Sequence, residues 1–404
     1  MKQYPTPSLK GAQVMMVAMA CGVIVANLYY AQPLIGLIRA DIGLSAAAAG
    51  LIVTLTQIGY GVGLLLIVPL GDLVENKRLV ITALLASAVA LIGLSSVHDA
   101  TSFLLGAWLL GLSCVSAQVL VPYAAHLSPP EKRGEMVGRV MSGLLLGIML
   151  ARPVSSLMAH AWGWRPVFWL SAACVVVLAV AVHLSLPQRH PPANPVSYPQ
   201  LLRSMWGLLR HTPLLQRRAF YHALLFAAFS LFWSTVPLWL TGPRFGLTQE
   251  GVAWFALAGV AGAIAAPFAG RWADRGWTHK ATNWALLVSA LSFALPWLIP
   301  FDPMWTMLLL TASAILLDMG VSANLVLSQR AIYALGDAQR SRLNGLFMTL
   351  FFVGGATGSG LGVWAYAQGG WPTTALLGAA FPTLAWLVFL TEKRPAGYPL
   401  PQES

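Results

Sequence analysis

Along this chain, apolar runs of about 18 residues or more alternate with short polar stretches. At 1.5 Å per residue, each run can cross the roughly 30 Å hydrocarbon core of a bilayer as a helix. Twelve such spans are expected near 12–38, 46–70, 79–97, 102–125, 136–160, 166–186, 219–241, 250–270, 281–299, 305–327, 343–367 and 373–391. Helix is the expected form because, away from water, a lone segment must satisfy its own backbone N–H and C=O groups. The pattern breaks at 187–218, where Pro187, Pro191, Pro192, Pro195 and Pro199 stand among Arg189, Arg203, Arg210, Arg217 and Arg218. That stretch predicts a linker between a six-helix bundle over 1–186 and a second over 219–404, the latter ending in a short tail. Inside the linker, Leu201, Leu202, Met205, Trp206 and Leu209 recur at helical spacing, which predicts an amphipathic helix on an anionic lipid surface. A solvated tether is the plainer alternative.

The two bundles read as copies of one unit. A shift of 207 residues places Arg340 on Arg133, Gly345 on Gly138, Met348 on Met141, Gly354 on Gly147 and Gly370-Trp371 on Gly163-Trp164, and near that offset Asp274 matches Asp72. Duplicated halves with a site between them can rock about that site and open to either side in turn, which points to a transporter. Composition agrees: 57% of the 404 residues are hydrophobic, 9% are charged, and mean hydropathy is +0.71. This is an all-α polytopic membrane chain.

Charge then sets the orientation. Twenty of the 24 Lys and Arg lie in the two terminal tails and in alternate loops, Arg39, Arg165 and Arg244 lie on the other side, and Arg152 lies within a span. The positive-inside rule puts both termini in the cytoplasm. The net charge of +11 is therefore a topology signal, with no nucleic-acid surface implied. Cys21, Cys114 and Cys174 all fall inside spans, so they read as packing and imply no disulfide or metal site. The first run is expected to be a retained span rather than a signal peptide. No Gly-x-Ser-x-Gly elbow, His-Glu-x-x-His pair or phosphate-cradling loop occurs, so an enzyme is disfavoured and no cofactor is expected. No domain for a sensor's signalling output is present, and no protein partner is required.

Gly270, Asp274 and Arg275 form a Gly-x-x-x-Asp-Arg pattern after the eighth span. A partial copy follows the second, with Asp72, Lys77 and Arg78 present, Val68 at the Gly position and Leu73 at the Arg position. At these residues the chain resembles a twelve-helix member of the major facilitator superfamily, near its drug/proton antiporter branch. The resemblance implies two pseudo-symmetric six-helix bundles, and it implies that Asp72, Lys77, Arg78, Gly270, Asp274 and Arg275 act as a conformational latch. A carboxylate there can meet a helix N-terminus and pair with nearby Arg, while an ordinary turn cap is the plainer role for Asp72. The chain departs from the family in its fourth span, where Ala107 stands at the place of an Arg four residues before Gly111. The fifth-span signature is echoed by Gly143, Gly147, Ala151, Pro153 and Ser155.

Two charged residues remain deep in spans, Arg152 in the fifth and Asp318 in the tenth. Each costs about 2.5–3.5 kcal/mol at a helix centre, so a function is the default reading. The fold that the resemblance implies makes an Arg152–Asp318 contact possible. Burial and a nearby cation pull the protonation of Asp318 in opposite directions, so movement of Arg152 or arrival of a cationic substrate can make it exchange a proton. Asp318 is thus the proton-coupling candidate, with substrate binding or a static ion pair as alternatives. Arg152 is a substrate-binding candidate, able to hold an anionic group. Asn27, Tyr30, Gln57, Gln118, Trp233 and Asn324 are further substrate-binding candidates; each alone also suits an interhelical hydrogen bond or interfacial packing. The leading expectation is efflux of a small organic solute in exchange for protons from the cytoplasmic membrane. Proton-linked uptake of an organic anion held by Arg152 is the alternative.

Overall fold

The computed structural model describes residues 11–127, 133–188, 197–262, 265–297, 302–336 and 339–392. It is built from α1 (Gly11–Ala26), α2 (Ile35–Asp41), α3 (Leu51–Leu66), α4 (Asn76–Ser96), α5 (Ala100–Ser113), α6 (Ser116–His126), α7 (Arg133–Trp162) and α8 (Arg165–Ser185). After α9 (Tyr198–His211) come α10 (Pro213–Leu240), α11 (Gln249–Ala256), α12 (Ala258–Gly262), α13 (Ala265–Asp274), α14 (Thr278–Ser292), α15 (Pro303–Tyr333) and α16 (Arg340–Leu390). Among the described residues there is no strand. Among the described residues, eight stretches are long and apolar enough to cross a bilayer. One of them, Arg342–Leu390, holds two crossings, and three more crossings are assembled from broken helices: α1 with α2, α11 to α13, and α14 with the short turn after it. The chain therefore makes the twelve passes its hydropathy predicts.

The ends of these helices follow from local chemistry. Asp99 accepts from the Ser102 N–H, Asp302 from those of Met304 and Trp305, and Glu75 from those of Lys77 and Arg78, which satisfies donors that the first helical turn leaves without partners. Proline opens α8, α9, α10 and α15, where its missing N–H costs nothing. The duplicated Gly-Trp pairs both break the helix at a glycine of positive φ: Gly163 between α7 and α8 has φ 82°, and Gly370 within α16 has φ 63°. That left-handed backbone admits glycine with least strain.

The repeat also governs packing. A methyl group on Gly147 would lie 2.2 Å from the Gly22 carbonyl oxygen of α1, and one on its counterpart Gly354 would lie 2.0 Å from the Ala223 carbonyl of α10. Each half therefore seals its first and fifth crossings by backbone-to-backbone contact, the geometry that small residues allow in a membrane.

The two halves meet along α3 with α16 and α7 with α11. One face of the molecule gathers most of the described basic residues, including Lys77, Arg78, Arg271, Lys280 and Arg330. Toward the opposite face, Thr54 donates to the Ala356 carbonyl at 3.2 Å and lies 2.9 Å from the Ser359 hydroxyl, while His160 and Glu250 approach to 3.8 Å. At the basic face, α9 bridges the halves. The Tyr198 hydroxyl donates to the Leu66 carbonyl, Arg342 donates to Ser204, and Leu201 and Met205 are buried, Met205 among Leu343, Leu346 and Phe347. The amphipathic helix expected in the linker thus forms, but part of its apolar face docks on α16, leaving Trp206 exposed. Part of the linker, residues 189–196, lies outside the described residues, and α10 begins at Pro213, earlier than the span boundary read from hydropathy.

Candidate functional site

The break between α1 and α2, the middle of α7, the half of α10 away from the basic face, α12 and the middle of α15 converge between the halves. Arg152 of α7 is 3% exposed and Asp318 of α15 is 5% exposed. They do not close to ion-pair distance, because Trp233 of α10 stands between them. The guanidinium lies 4.4 Å from the Trp233 ring centre, and the indole Nε1–H donates to Asp318 Oδ1 at 2.9 Å. The two charges act on one another across the indole. Tyr29 and Phe229 complete a three-ring cage, at 5.3 and 4.8 Å from the guanidinium carbon. Rings placed in this way stabilise a cation through their quadrupoles, by ~2 kcal/mol or more when water is excluded.

Arg152 makes one side-chain hydrogen bond, from Nε to Gln32 Oε1 at 2.9 Å. That bond leaves Arg152 Nη2 and Gln32 Nε2 as neighbouring buried donors with no protein acceptor. Buried donors without partners are rare, and each one left unmatched costs on the order of 1–3 kcal/mol, more when charged. The wall beside Asp318 is equally tight, since a methyl on Gly259 of α12 would lie 2.8 Å from both Asp318 Oδ2 and the Trp233 ring.

A second polar cluster lies toward the basic face. The turn positions His222, Phe226, Phe229 and Trp233 share one face of α10 by their 4, 3, 4 spacing. His222 Nδ1 is 3.0 Å from Asn324 Nδ2, and its ring stacks on Phe347 and Phe351 at centroid distances of 5.4 and 4.9 Å. Between the clusters, Phe226 stacks on Phe351 at 3.6 Å and meets Phe352, which in turn packs on Tyr60. Gln57 reaches across the halves to donate to the Ser230 hydroxyl at 3.0 Å.

Of the residues singled out from sequence, Arg152, Trp233 and Asp318 come together, and Gln57 and Asn324 lie along the same interface. Asn27 and Tyr30 are not brought there. Asn27 bonds the Val23 carbonyl and the Ser171 hydroxyl of α8, and Tyr30 lies beside Ser171. Gln118 lies beside the Tyr60 hydroxyl within the first half. A groove of about 690 Å³ between α1 and α7, lined by Tyr30, Gly147 and Leu150, lies on the side of α7 opposite Arg152. Asp72 is exposed at the basic face, and Lys77 and Arg78 give their backbone N–H groups to Glu75. A side chain on Gly270 would come within 3.6 Å of Arg330 Nη2, and Arg275 lies 5.8 Å from the Trp277 ring centre. The side chain of Asp274 lies outside the described residues. Sequence reasoning missed Gln32, Tyr29, His222 and Gly259. Gln32 and His222 carried a legible signal, as polar residues within apolar runs, whereas Tyr29 and Gly259 carried none.

A family model described as Major Facilitator Superfamily matches residues 15–284 and 253–404. The Escherichia coli O157:H7 protein named Uncharacterized transporter YgaY is 39% identical over 385 residues, covering 95% of this chain and 96% of its own. The Probable transporter SCO4007 of Streptomyces coelicolor is 33% identical over 388 residues, covering 94% and 87%. Among solved structures, the crystal structure of nucleoside transporter NupG superposes with a TM-score of 0.72 at 15% identity, covering 94% of this chain and 98% of that one, a likeness of fold alone. Two six-helix halves, cross-half packing of α3 on α16 and α7 on α11, and these matches agree: this chain is a membrane transporter, not an enzyme, and it belongs to the major facilitator superfamily.

Proposed function

We propose that the chain carries small organic anions together with protons across the cytoplasmic membrane by alternating access, with the basic face and both termini on the cytoplasmic side. The observation that carries this reading is the pair of buried donors, Arg152 Nη2 and Gln32 Nε2, which lack an acceptor inside an aromatic cage. A carboxylate is the group that fits them: it accepts two bonds and neutralises the guanidinium. Tyr29, Phe229 and Trp233 would receive a flat apolar body. An anion on Arg152 takes from Asp318 the positive charge it faces across Trp233, and a proton on Asp318 restores neutrality. Anion and proton are therefore taken up together, and an inward proton gradient drives accumulation.

The test is uptake of labelled aromatic carboxylates, 4-hydroxybenzoate and hippurate among them, into proteoliposomes that are alkaline inside, with protein-free vesicles subtracted. Accumulation should appear with the unmodified protein and fall at least ~10-fold in Arg152→Gln and Asp318→Asn, as expected for loss of a buried charged contact worth ~2 kcal/mol or more. Failure of every carboxylate, with proton release triggered by amphipathic cations, would sink it. That result belongs to a second reading, proton-exchanging efflux, which is favoured by the run of aromatic rings on α10 and by a carboxyl that a cation and a proton could occupy in turn.

A further inference from the structure

We infer that His222 is a second proton carrier of the transport cycle, on the basic-face side of Asp318. This inference rests on the proton-coupled reading above. His222 is fully buried in α10, and three features of its surroundings suit a group that changes charge. The first is its bond to Asn324. With the Asn324 amide as donor, Nδ1 is the acceptor and the ring proton sits on Nε2, which has no partner. Asn324 Oδ1 is also buried without a partner. Rotation of the amide would exchange its donor for that unused oxygen, so the same pair can hold the ring with one proton or with two. The second feature is the stack of Phe347 and Phe351, at interplanar angles of 14° and 23°, whose faces accept a neutral imidazole or an imidazolium.

The third feature is position. Asn324 is six residues from Asp318 along α15, about 9 Å toward the basic face. Ser328, one turn further on, carries another buried unpartnered hydroxyl. In the conformation described here, Phe226, Phe229, Phe351 and Phe352 lie between the two clusters. The rocking that admits a solute must part these rings, and water entering with it would join the clusters. Among the described residues, no charged side chain is hydrogen-bonded to or stacked on His222. From α15 it meets Asn324 and from α16 Phe347 and Phe351. The nearest cation on its own helix, Arg218, one turn before it, is held by Glu392 and Thr282.

The transfer balances simply. The O–H bond of protonated Asp318 breaks, and water carries the proton to Nδ1 as the Asn324 amide turns. The Nε2 proton then leaves to the basic-face water, leaving a carboxylate and a neutral imidazole whose proton is on Nδ1; the cycle closes when water moves that proton to Nε2 and the Asn324 amide turns back.

The test separates net proton movement from solute movement. His222→Asn keeps a partner for Asn324, and His222→Phe keeps the stack; both go into proteoliposomes. Exchange of labelled for unlabelled 4-hydroxybenzoate at equal pH on both sides needs no proton release. It should stay within ~3-fold of the unmodified protein in at least one variant, while accumulation driven by a pH gradient falls at least ~10-fold in that variant. Gradient-driven accumulation equal to the unmodified protein in either variant overturns the role, and so does loss of exchange in both. If the unmodified protein itself ignores the gradient, the proton-coupled reading falls and this inference falls with it. If the protein responds and Asp318→Asn does not, the reading stands and the His222 variants alone decide.

Discussion

Replacing Gly259 by alanine should slow transport at least ~10-fold while leaving the fold intact. The added methyl would sit 2.8 Å from Asp318 Oδ2 and 2.8 Å from the Trp233 ring, whereas ordinary contact begins near 3.4 Å. The two partners must therefore retreat by roughly 0.6 Å. If that retreat falls on the bond from Trp233 Nε1 to Asp318 Oδ1, now 2.9 Å, it opens to about 3.5 Å, beyond useful hydrogen-bonding range. A bond to a charged group is worth ~1.5–3 kcal/mol, so the aligned site is disfavoured by a factor of ~10 to ~150. Against this, exchanging glycine for alanine in a helix gains up to about 1 kcal/mol. Initial rates of gradient-driven uptake in proteoliposomes should fall at least ~10-fold, while the melting temperature in detergent moves by only a few degrees. Unchanged uptake at unchanged melting temperature would refute the argument, because the Trp233–Asp318 contact could then yield without functional cost.

Three further outcomes test other parts of the structure. Gly147→Ala must push α7 off Gly22 and should cost ~1–3 kcal/mol in thermal unfolding, whereas Gly138→Ala on the same helix, with nothing within 4 Å, should be neutral or stabilising by up to ~1 kcal/mol. Glu392→Gln leaves Arg218, bonded to Glu392 at 3.1 Å and 3% exposed, without its counter-charge; a loss of ~3–5 kcal/mol is expected, and Arg218→Met with Glu392→Met should recover most of it. Asp99 is a solvent-facing cap whose acceptance of the Ser102 backbone N–H holds its carboxyl below the usual value near 3.9. A depressed value means the cap stabilises at neutral pH and loses that effect as pH falls through the folded-state value. The melting difference between the unmodified protein and Asp99→Ala should accordingly stay constant from pH 8 to 5 and shrink below about pH 4; a constant difference down to pH 3 would contradict it.

The crossings and the duplication were legible in the sequence, because a bilayer reads hydrophobic length directly and a repeated unit repeats its glycines. Gly163 and Gly370 show this: matched by offset, both sit at a helix break with positive φ. Arg152, Trp233 and Asp318 were also visible as residues, since charge and indole N–H are conspicuous in apolar runs. Their arrangement was not. Whether Arg152 touches Asp318 depends on how four helices from two halves rotate and tilt against one another, and only the packed molecule put Trp233 between them. Asn27 and Tyr30 share a helix face by spacing, yet the break after Ala26 and the packing of α8 turn them toward Ser171. Gln32 and His222 acquire meaning from neighbours more than 100 residues away in sequence, and Gly259 from Trp233 and Asp318, 26 and 59 residues away. The sequence by itself thus determined the membrane, the twelve passes and the two-fold plan. The tertiary structure decided which polar groups face one another, because helix rotation is set by side-chain packing across the halves, which hydropathy does not encode.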